Sequence, residues 1–504
     1  MEEEWTSDAN EAFTISLVTP SDSGLKKTDS FNPKFTYAVF ENEQIFGYKG
    51  LKVNLTYNAT DMRPNLSVSC IKKFKTVGEA EAVDIPQIMK EFLPGVAFHK
   101  KIDFELAVKQ TPTSWTPPGE LVNTIERDGE TYEVWKGSLA DLAVNQLVKR
   151  IQLLVLFYIE GGSYIGEDAD GKDEPDYSLA RWSVFFLYKK PSTANEHYVF
   201  QGYSTVYHFW LFQTLTPPTS PGKTPALLEP EPKKNESWEL PSGDYPYTEL
   251  PHRARISQFL VLPPFQGKGA GAMLYNTIFN LQSKDESTKE ITVEDPNEAF
   301  DLLRDLCDMK YLRKNFPEFA NLAVNPDIAV ADKGAVLHHS TQISNKNSGA
   351  SASAKGIVDV DALEELRLRV KIAPRQFWRL VEMHLMSKLP LSVQPLPDDE
   401  EVERPAASKA NKHAYMLWRI LLKQRLYRRN ASILGEFEVT ERIIKLNDTL
   451  ENVEWEYARI LQRLNAPMPG VDPKANGASA FLGKRKPEGE EEGPSSKKAR
   501  VDDE

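Results

Sequence analysis

From Gln258 to Ala272 the chain reads Gln-Phe-Leu-Val-Leu-Pro-Pro-Phe-Gln-Gly-Lys-Gly-Ala-Gly-Ala, an apolar strand that empties into a glycine-rich turn and then a helix. The small residues Gly267, Gly269, Gly271 and Ala272 let the backbone turn sharply. They also leave the free N–H groups at the helix start unobstructed, the arrangement that receives an anion. The expected ligand is a pyrophosphate held by Gln266, Gly267, Lys268, Gly269, Ala270, Gly271 and Ala272.

Three kinds of phosphate loop produce such a stretch, and spacing separates them. An ATPase-type loop needs Gly-Lys followed by Ser or Thr, whereas Gly269 follows Lys268. A dinucleotide fingerprint is a nearer rival, because Gly267, Gly269 and Ala272 fit Gly-x-Gly-x-x-Gly/Ala, with Glu294 downstream. That fingerprint puts its first glycine at the strand end. Here Pro263-Pro264-Phe265-Gln266 intervene, and no later alternation of strands and helices completes the domain. The third reading takes Gln266, Gly269 and Gly271 as Gln-x-x-Gly-x-Gly, which resembles the acetyl-CoA loop of the GNAT acyltransferases.

The surroundings strengthen it. Arg253 to Leu262 reads as a strand, Ala270 to Gln282 as a helix and Glu290 to Val293 as a second strand, the order such a site requires. Ser257 to Leu262, Pro264 to Gly267 and Glu294-Asp295-Pro296-Asn297-Glu298-Ala299-Phe300 resemble the type B histone acetyltransferase catalytic subunits. So do Phe46 to Val53, Phe157-Tyr158-Ile159-Glu160 and Gly202 to Tyr207. The resemblance implies an α+β fold: a GNAT core on a mixed central sheet, an α+β N-terminal domain that binds histone and a helical C-terminal domain. It also implies acetyl-CoA as co-substrate, no metal, and transfer to lysines in the tail of free, newly made histone four. A WD-repeat histone chaperone is the implied partner. Phe259, Leu260 and Val261 would offer main-chain groups to the pantetheine arm, and Asn297 would touch the distal end of CoA. The tail would lie across Glu43-Gln44-Ile45 and Tyr207-His208-Phe209, although alternation along Gln201 to Phe212 fits an ordinary half-buried strand equally well.

The chemistry calls for a base, because a lysine amine, with a reference pKa of about 10.4, is protonated near neutral pH and has no lone pair for attack. Glu294, placed directly after a strand end beside the cofactor unit, matches the family's catalytic glutamate. Asp295 is a second catalytic candidate. It reads first as a helix N-cap, with Pro296 at the first helical position and Glu298 as capping-box partner. Glu160 is the third. It closes an apolar helix before Gly161-Gly162, where neither a helix C-terminus nor an apolar wall favours a carboxylate, so local stability gives little reason for it. No Ser or Cys nucleophile with a His partner is evident, which points to direct attack in a ternary complex without an acyl-enzyme.

With 73 acidic and 61 basic side chains among 504 residues, the formal charge of −12 disfavours general nucleic-acid binding and suits a basic partner. Cys70 and Cys307 are too few for a disulfide framework, and no Cys/His spacing suggests zinc. An acidic start and the lack of any long apolar run lead us to expect a protein that neither enters a membrane nor is exported.

The expected layout is a flexible start (1–10), an N-terminal unit (11–138), the catalytic domain (139–330), a linker (340–355), a helical domain (359–466) and a loose tail (467–504). Strands are expected at Ala12–Val18, Phe35–Phe40, Leu51–Tyr57 and Leu66–Phe74, one helix over Leu139–Ile159, and a central sheet starting at Trp182. A proline-rich insertion over 214–251 interrupts the catalytic domain. Leu446, Leu450, Val453, Tyr457, Ile460 and Leu464 form a near-heptad stripe that suits a partner-binding seam or, as the favoured reading, intramolecular bundle packing. Lys484-Arg485-Lys486 and Lys497-Lys498-Ala499-Arg500 resemble a bipartite nuclear-import signal, so cytoplasm and nucleus are both expected. The rival readings are a GNAT enzyme for another amine and a non-catalytic histone-binding adaptor.

Overall fold

The computed structural model describes residues 5–21, 24–78, 80–168, 171–211, 250–328, 356–397 and 404–465. The 340–355 linker, the tail with both basic clusters and nearly all of the 214–251 insertion lie outside the described residues. Among the described residues, no helix is long and apolar enough to cross a membrane.

A four-stranded N-terminal sheet comprises β1 (Phe13–Ser21), β2 (Gly24–Phe31), β3 (Lys52–Asn58) and β4 (Pro64–Ser69), in the order β2-β1-β3-β4. Phe13, Ile15 and Leu17 of β1 and Val53, Leu55 and Tyr57 of β3 are all fully buried, which fixes the register of this parallel pair. The strand expected at Phe35–Phe40 is instead a turn, closed by Phe40 N–H donating to the Thr36 carbonyl at 2.8 Å. The edge position is taken by β2, whose polar run Lys26 to Ser30 shows no apolar alternation. From Trp5 onward the start expected to be loose is ordered: Thr6–Asp8 pairs with Gln44–Phe46, and Trp5 packs on Phe74 at 5.4 Å.

The central sheet comprises β5 (Glu120–Arg127), β6 (Glu130–Ser138), β7 (Trp182–Lys189), β8 (Val199–Trp210), β9 (His252–Val261) and β10 (Thr288–Val293), neighbours in that order. All pairs are antiparallel except β9–β10, which is parallel. The sheet thus begins at Glu120 and not at Trp182. Its first hairpin closes on Asp128 (φ 53°) and Gly129 (φ 78°), a pair suited to a tight left-handed turn. Between β6 and β7 run α1 (Leu142–Ile151) and α2 (Leu153–Tyr158), so the single helix expected there is broken at Gln152. Parity along β7 divides the core. Val184, Phe186 and Tyr188 face α1, α2 and the N-terminal sheet, whereas Phe185 and Leu187 face α3 (Ala270–Lys284) and α4 (Glu298–Asn315).

The C-terminal helices α5 (Val360–Val370), α6 (Pro374–Ser387), α7 (Lys409–Arg429) and α8 (Val439–Asn465) complete the α3–α4 layer and share its core. The stripe on α8 is spent inside the molecule, with Leu450, Tyr457 and Ile460 buried and Leu446, Val453 and Leu464 packed against the same core. After α5 the chain lies along the outer edge of β10: Ile291 N–H donates to the Lys371 carbonyl at 2.7 Å, and Ile372 bridges Ile291 in parallel.

Where α3, α4 and α6 meet, Asp308 is enclosed, with Tyr275 Oη donating to it at 2.8 Å and Gln376 Nε2 at 3.2 Å. Burial, opposed by these bonds and by Arg304, pushes the Asp308 carboxyl up from 3.8 to about 7. Between about pH 4 and 7 the folded chain holds a proton that the unfolded chain has released, so stability falls as pH rises through that window. Asp308→Asn is expected to flatten this slope, read as the thermal midpoint across pH 4 to 8. An undiminished slope in the variant would refute the assignment.

Candidate active site

β9 carries the feature that opens the site. Ser204 pairs with Phe259 and Val206 with Ile256, so two residues of β9, Ser257 and Gln258, oppose Thr205 alone. This is a β-bulge, and Gln258 N–H is satisfied by Thr205 Oγ1 at 3.0 Å. The extra residue reverses the parity of the strand: Ala254 and Ile256 face the α3 side, whereas Leu260 faces the N-terminal side. It also bends β9 away from its parallel neighbour. Pairing with β10 stops at Ile256–Val293, while pairing with β8 continues to Val261. The two strands part like a V, and the β10 side of Phe259, Leu260 and Val261 is left without a strand partner.

The turn expected to hold an anion follows. Pro263–Phe265 form a short 3-10 turn, Gln266 Nε2 donates back to the Val261 carbonyl at 2.8 Å, and α3 starts at Ala270. Gly267 (φ 71°) and Gly269 (φ 89°) take the left-handed conformation that side chains resist. Gly269 caps α3 without a side chain, so the first N–H groups of a 15-residue helix stand open beside the V. Gly271 lets α4 come close, since a β-carbon there would stand 3.2 Å from Leu303. Lys268 points back, its Nζ donating to the Pro264 carbonyl at 2.8 Å.

Glu294 sits at the mouth of the V, its N–H donating to the Ile256 carbonyl at 2.9 Å. Two side chains from one face of β9 hold its carboxylate: Ser257 Oγ donates to Oε2 at 2.5 Å, and Arg255 Nη2 lies 3.4 Å from Oε1. Each carboxylate oxygen keeps a further lone pair, and the side chain is 39% exposed, so an incoming donor can reach it. Arg255 and Ser257 belong to no catalytic motif in the sequence. Their signal was the i, i+2 spacing on the strand beside Glu294.

Asp295 does not cap the following helix. It stands exposed in a left-handed conformation (φ 32°), incompatible with the extended backbone of a cap. Asn297 is the cap of α4, its Oδ1 accepting from Phe300 N–H at 2.9 Å, so Pro296 lies just outside the helix. Glu160 is exposed two residues beyond the end of α2, where Gly161 turns the chain and donates its N–H to Tyr37 Oη at 2.8 Å. It makes no hydrogen bond or ion pair to Glu294.

The aromatic residues of β8 divide by parity. Tyr207 and Phe209 share one face with their rings 4.6 Å apart, and the Arg255 guanidinium lies over Phe209 at 4.3 Å, so an unbroken contact path runs from both rings to Glu294. Arg181 covers Tyr207 and Trp210, each at 4.5 Å. His208 points the other way and meets His252 edge to face, with ring centroids 4.6 Å apart. Burial first and His252 second push its imidazole down to about 4, which keeps it neutral. It is therefore separated from Tyr207 and Phe209, contrary to expectation. Of the N-terminal trio, Gln44 is exposed, Glu43 accepts from Thr36 N–H at 2.9 Å, and Ile45 is buried in the core with no side-chain surface to offer.

The N-terminal family model described as "Histone acetyl transferase HAT1 N-terminus" matches residues 5–160, and one described as "Fungal HAT1, C-terminal" matches residues 343–390. Among curated proteins, a histone acetyltransferase type B catalytic subunit of Gibberella zeae is 47% identical, covering 99% of each chain. Its counterpart in Pyricularia oryzae is 45% identical over 99% of this chain and 98% of its own. A third, from Neurospora crassa, is 42% identical over 95% of this chain and 91% of its own.

Proposed function

Because the chain belongs to the family of type B histone acetyltransferase catalytic subunits, we propose that it moves the acetyl group of acetyl-CoA to lysines in the N-terminal tail of free, newly made histone four. The observation that carries this reading is Glu294, held by Ser257 and Arg255 at the point where β9 and β10 part.

The residues fit acetyl-CoA. The open side of Phe259 to Val261 offers main-chain groups to a pantetheine arm, and the turn from Gln266 to Ala272 offers N–H groups to the pyrophosphate. Bound acetyl-CoA supplies an activated thioester carbonyl. Glu294 takes a proton from the lysine ammonium, directly or through one water, and the freed amine attacks that carbonyl. A C–N bond forms, the C–S bond breaks, and the second proton of the attacking nitrogen passes to the departing sulfur, so that CoA leaves as the free thiol. A main-chain N–H near the end of β9 stabilises the oxyanion between these steps. Asp295 and Glu160 act as auxiliary carboxylates, favouring a cationic tail, and Asn297 combines its cap with a contact to CoA.

Tyr207 and Phe209 supply aromatic faces for the aliphatic stem and charge of a lysine. Glu43 and Gln44 extend the groove on the N-terminal unit. A WD-repeat histone chaperone serves as partner, and the protein works in cytoplasm and nucleus before chromatin assembly.

The test is turnover of acetyl-CoA on a histone-four tail peptide, with acetylated positions mapped by mass spectrometry and spermidine as a competing acceptor. Lysine acetylation of the peptide, in preference to spermidine, is the expected result. Preference for spermidine would instead mark an enzyme for small amines. Tail binding without release of CoA would mark an adaptor.

A further inference from the structure

The glycine turn has a neighbour from a distant part of the chain. Arg127 is the last residue of β5, and β5 is tied to α3 by Asn123 Nδ2 donating to Thr277 Oγ1 at 2.8 Å. That bond brings the end of β5 over the first turn of α3. There the guanidinium lies directly on Gly269, and a β-carbon added to Gly269 would collide with Nη1 and Cζ of Arg127. Asp128, fixed in the tight turn at φ 53°, accepts from Arg127 Nε at 3.2 Å and orients the group. Among the described residues, neither Nη atom of Arg127 makes a hydrogen bond or ion pair. Lys268, the cation within the turn itself, is turned back onto Pro264.

We propose that Arg127 is a phosphate-positioning residue of the acetyl-CoA site, clamping the diphosphate against the first turn of α3. The inference rests on the acetyl-CoA reading above and adds to it a contact that the glycine motif does not contain. A guanidinium presents two parallel N–H groups to a phosphate, in a geometry that lysine does not reproduce. The helix start supplies only about half a positive charge, so a diphosphate needs a further cation.

The test compares the affinities of CoA, dephospho-CoA and pantetheine as inhibitors competitive with acetyl-CoA, in the wild-type chain and in Arg127→Gln and Arg127→Lys. In Arg127→Gln the advantage of CoA over pantetheine should shrink about tenfold or more, and that of dephospho-CoA by the same factor. Arg127→Lys should keep part of the advantage. An unchanged CoA-to-pantetheine ratio would overturn the proposal, as would equal weakening of all three inhibitors, which marks a structural role. A loss confined to CoA and absent with dephospho-CoA would move the contact to the ribose phosphate and also overturn it. Failure of the wild-type chain to bind CoA at all would sink the acetyl-CoA reading itself.

Discussion

Glu294→Gln is expected to lower turnover of acetyl-CoA on a histone-four tail peptide by roughly 10²–10⁴-fold while leaving affinity for acetyl-CoA nearly unchanged. The amide has the shape of the carboxylate and can still accept from Ser257 and face Arg255, so the mouth of the V should keep its geometry. It cannot take a proton from an ammonium at neutral pH. The loss should therefore fall on kcat more than on KM for acetyl-CoA, the signature of a group needed in the transition state. Pre-deprotonating the acceptor by raising pH should recover part of the rate. If the variant keeps wild-type kcat, Glu294 is not the base, and Glu160 and Asp295 become the groups to test.

Gly269→Val should abolish or weaken acetyl-CoA binding by about two orders of magnitude, for two separable reasons. At φ 89° a β-branched residue is a backbone outlier, with a cost of order 1–3 kcal/mol. Its β-carbon would also collide with the Arg127 guanidinium. Either the turn changes shape, withdrawing the first N–H groups of α3, or Arg127 is driven off. Calorimetric titration with CoA reads the loss, and thermal unfolding shows whether the chain stays folded. Wild-type affinity in a folded Gly269→Val chain would show that this turn does not hold the nucleotide.

Most of the catalytic core was legible in the sequence because its signals are local. A strand, a glycine turn and a helix follow one another without a gap, and β9 and α3 lie within two residues of their expected ends. Where an element depends on partners far away in the chain, no local signal marks it. The β5–β6 hairpin carries Glu126, Arg127 and Glu130 near its turn and lacks the alternation of a half-buried strand, yet it extends the central sheet. Only its pairing with β7 makes it part of that core.

The same limit applies within the site. Glu294 is marked by its place after a strand together with the resemblance to the family's catalytic glutamate, but the bonds from Ser257 and Arg255 depend on the register between β9 and β10. Asp-Pro-x-Glu is a strong helix-start pattern and points to Asp295 as the cap. Here the chain needs a left-handed step to leave β10, which moves the start of α4 to Asn297. Adjacency groups His208 with Tyr207 and Phe209, whereas the period of a strand sends it to the opposite face.

The strip of chain from Lys371 to Ile372 seals the margin of the strand that ends just before Glu294. Cut away with the helices around it, that margin would become a sticky template for other chains, and the greasy surface of α4 would meet water. The transferase half is accordingly not a detachable module: its last strand is finished by residues nearly eighty positions further on, so a shortened gene product should clump before it could catalyse anything.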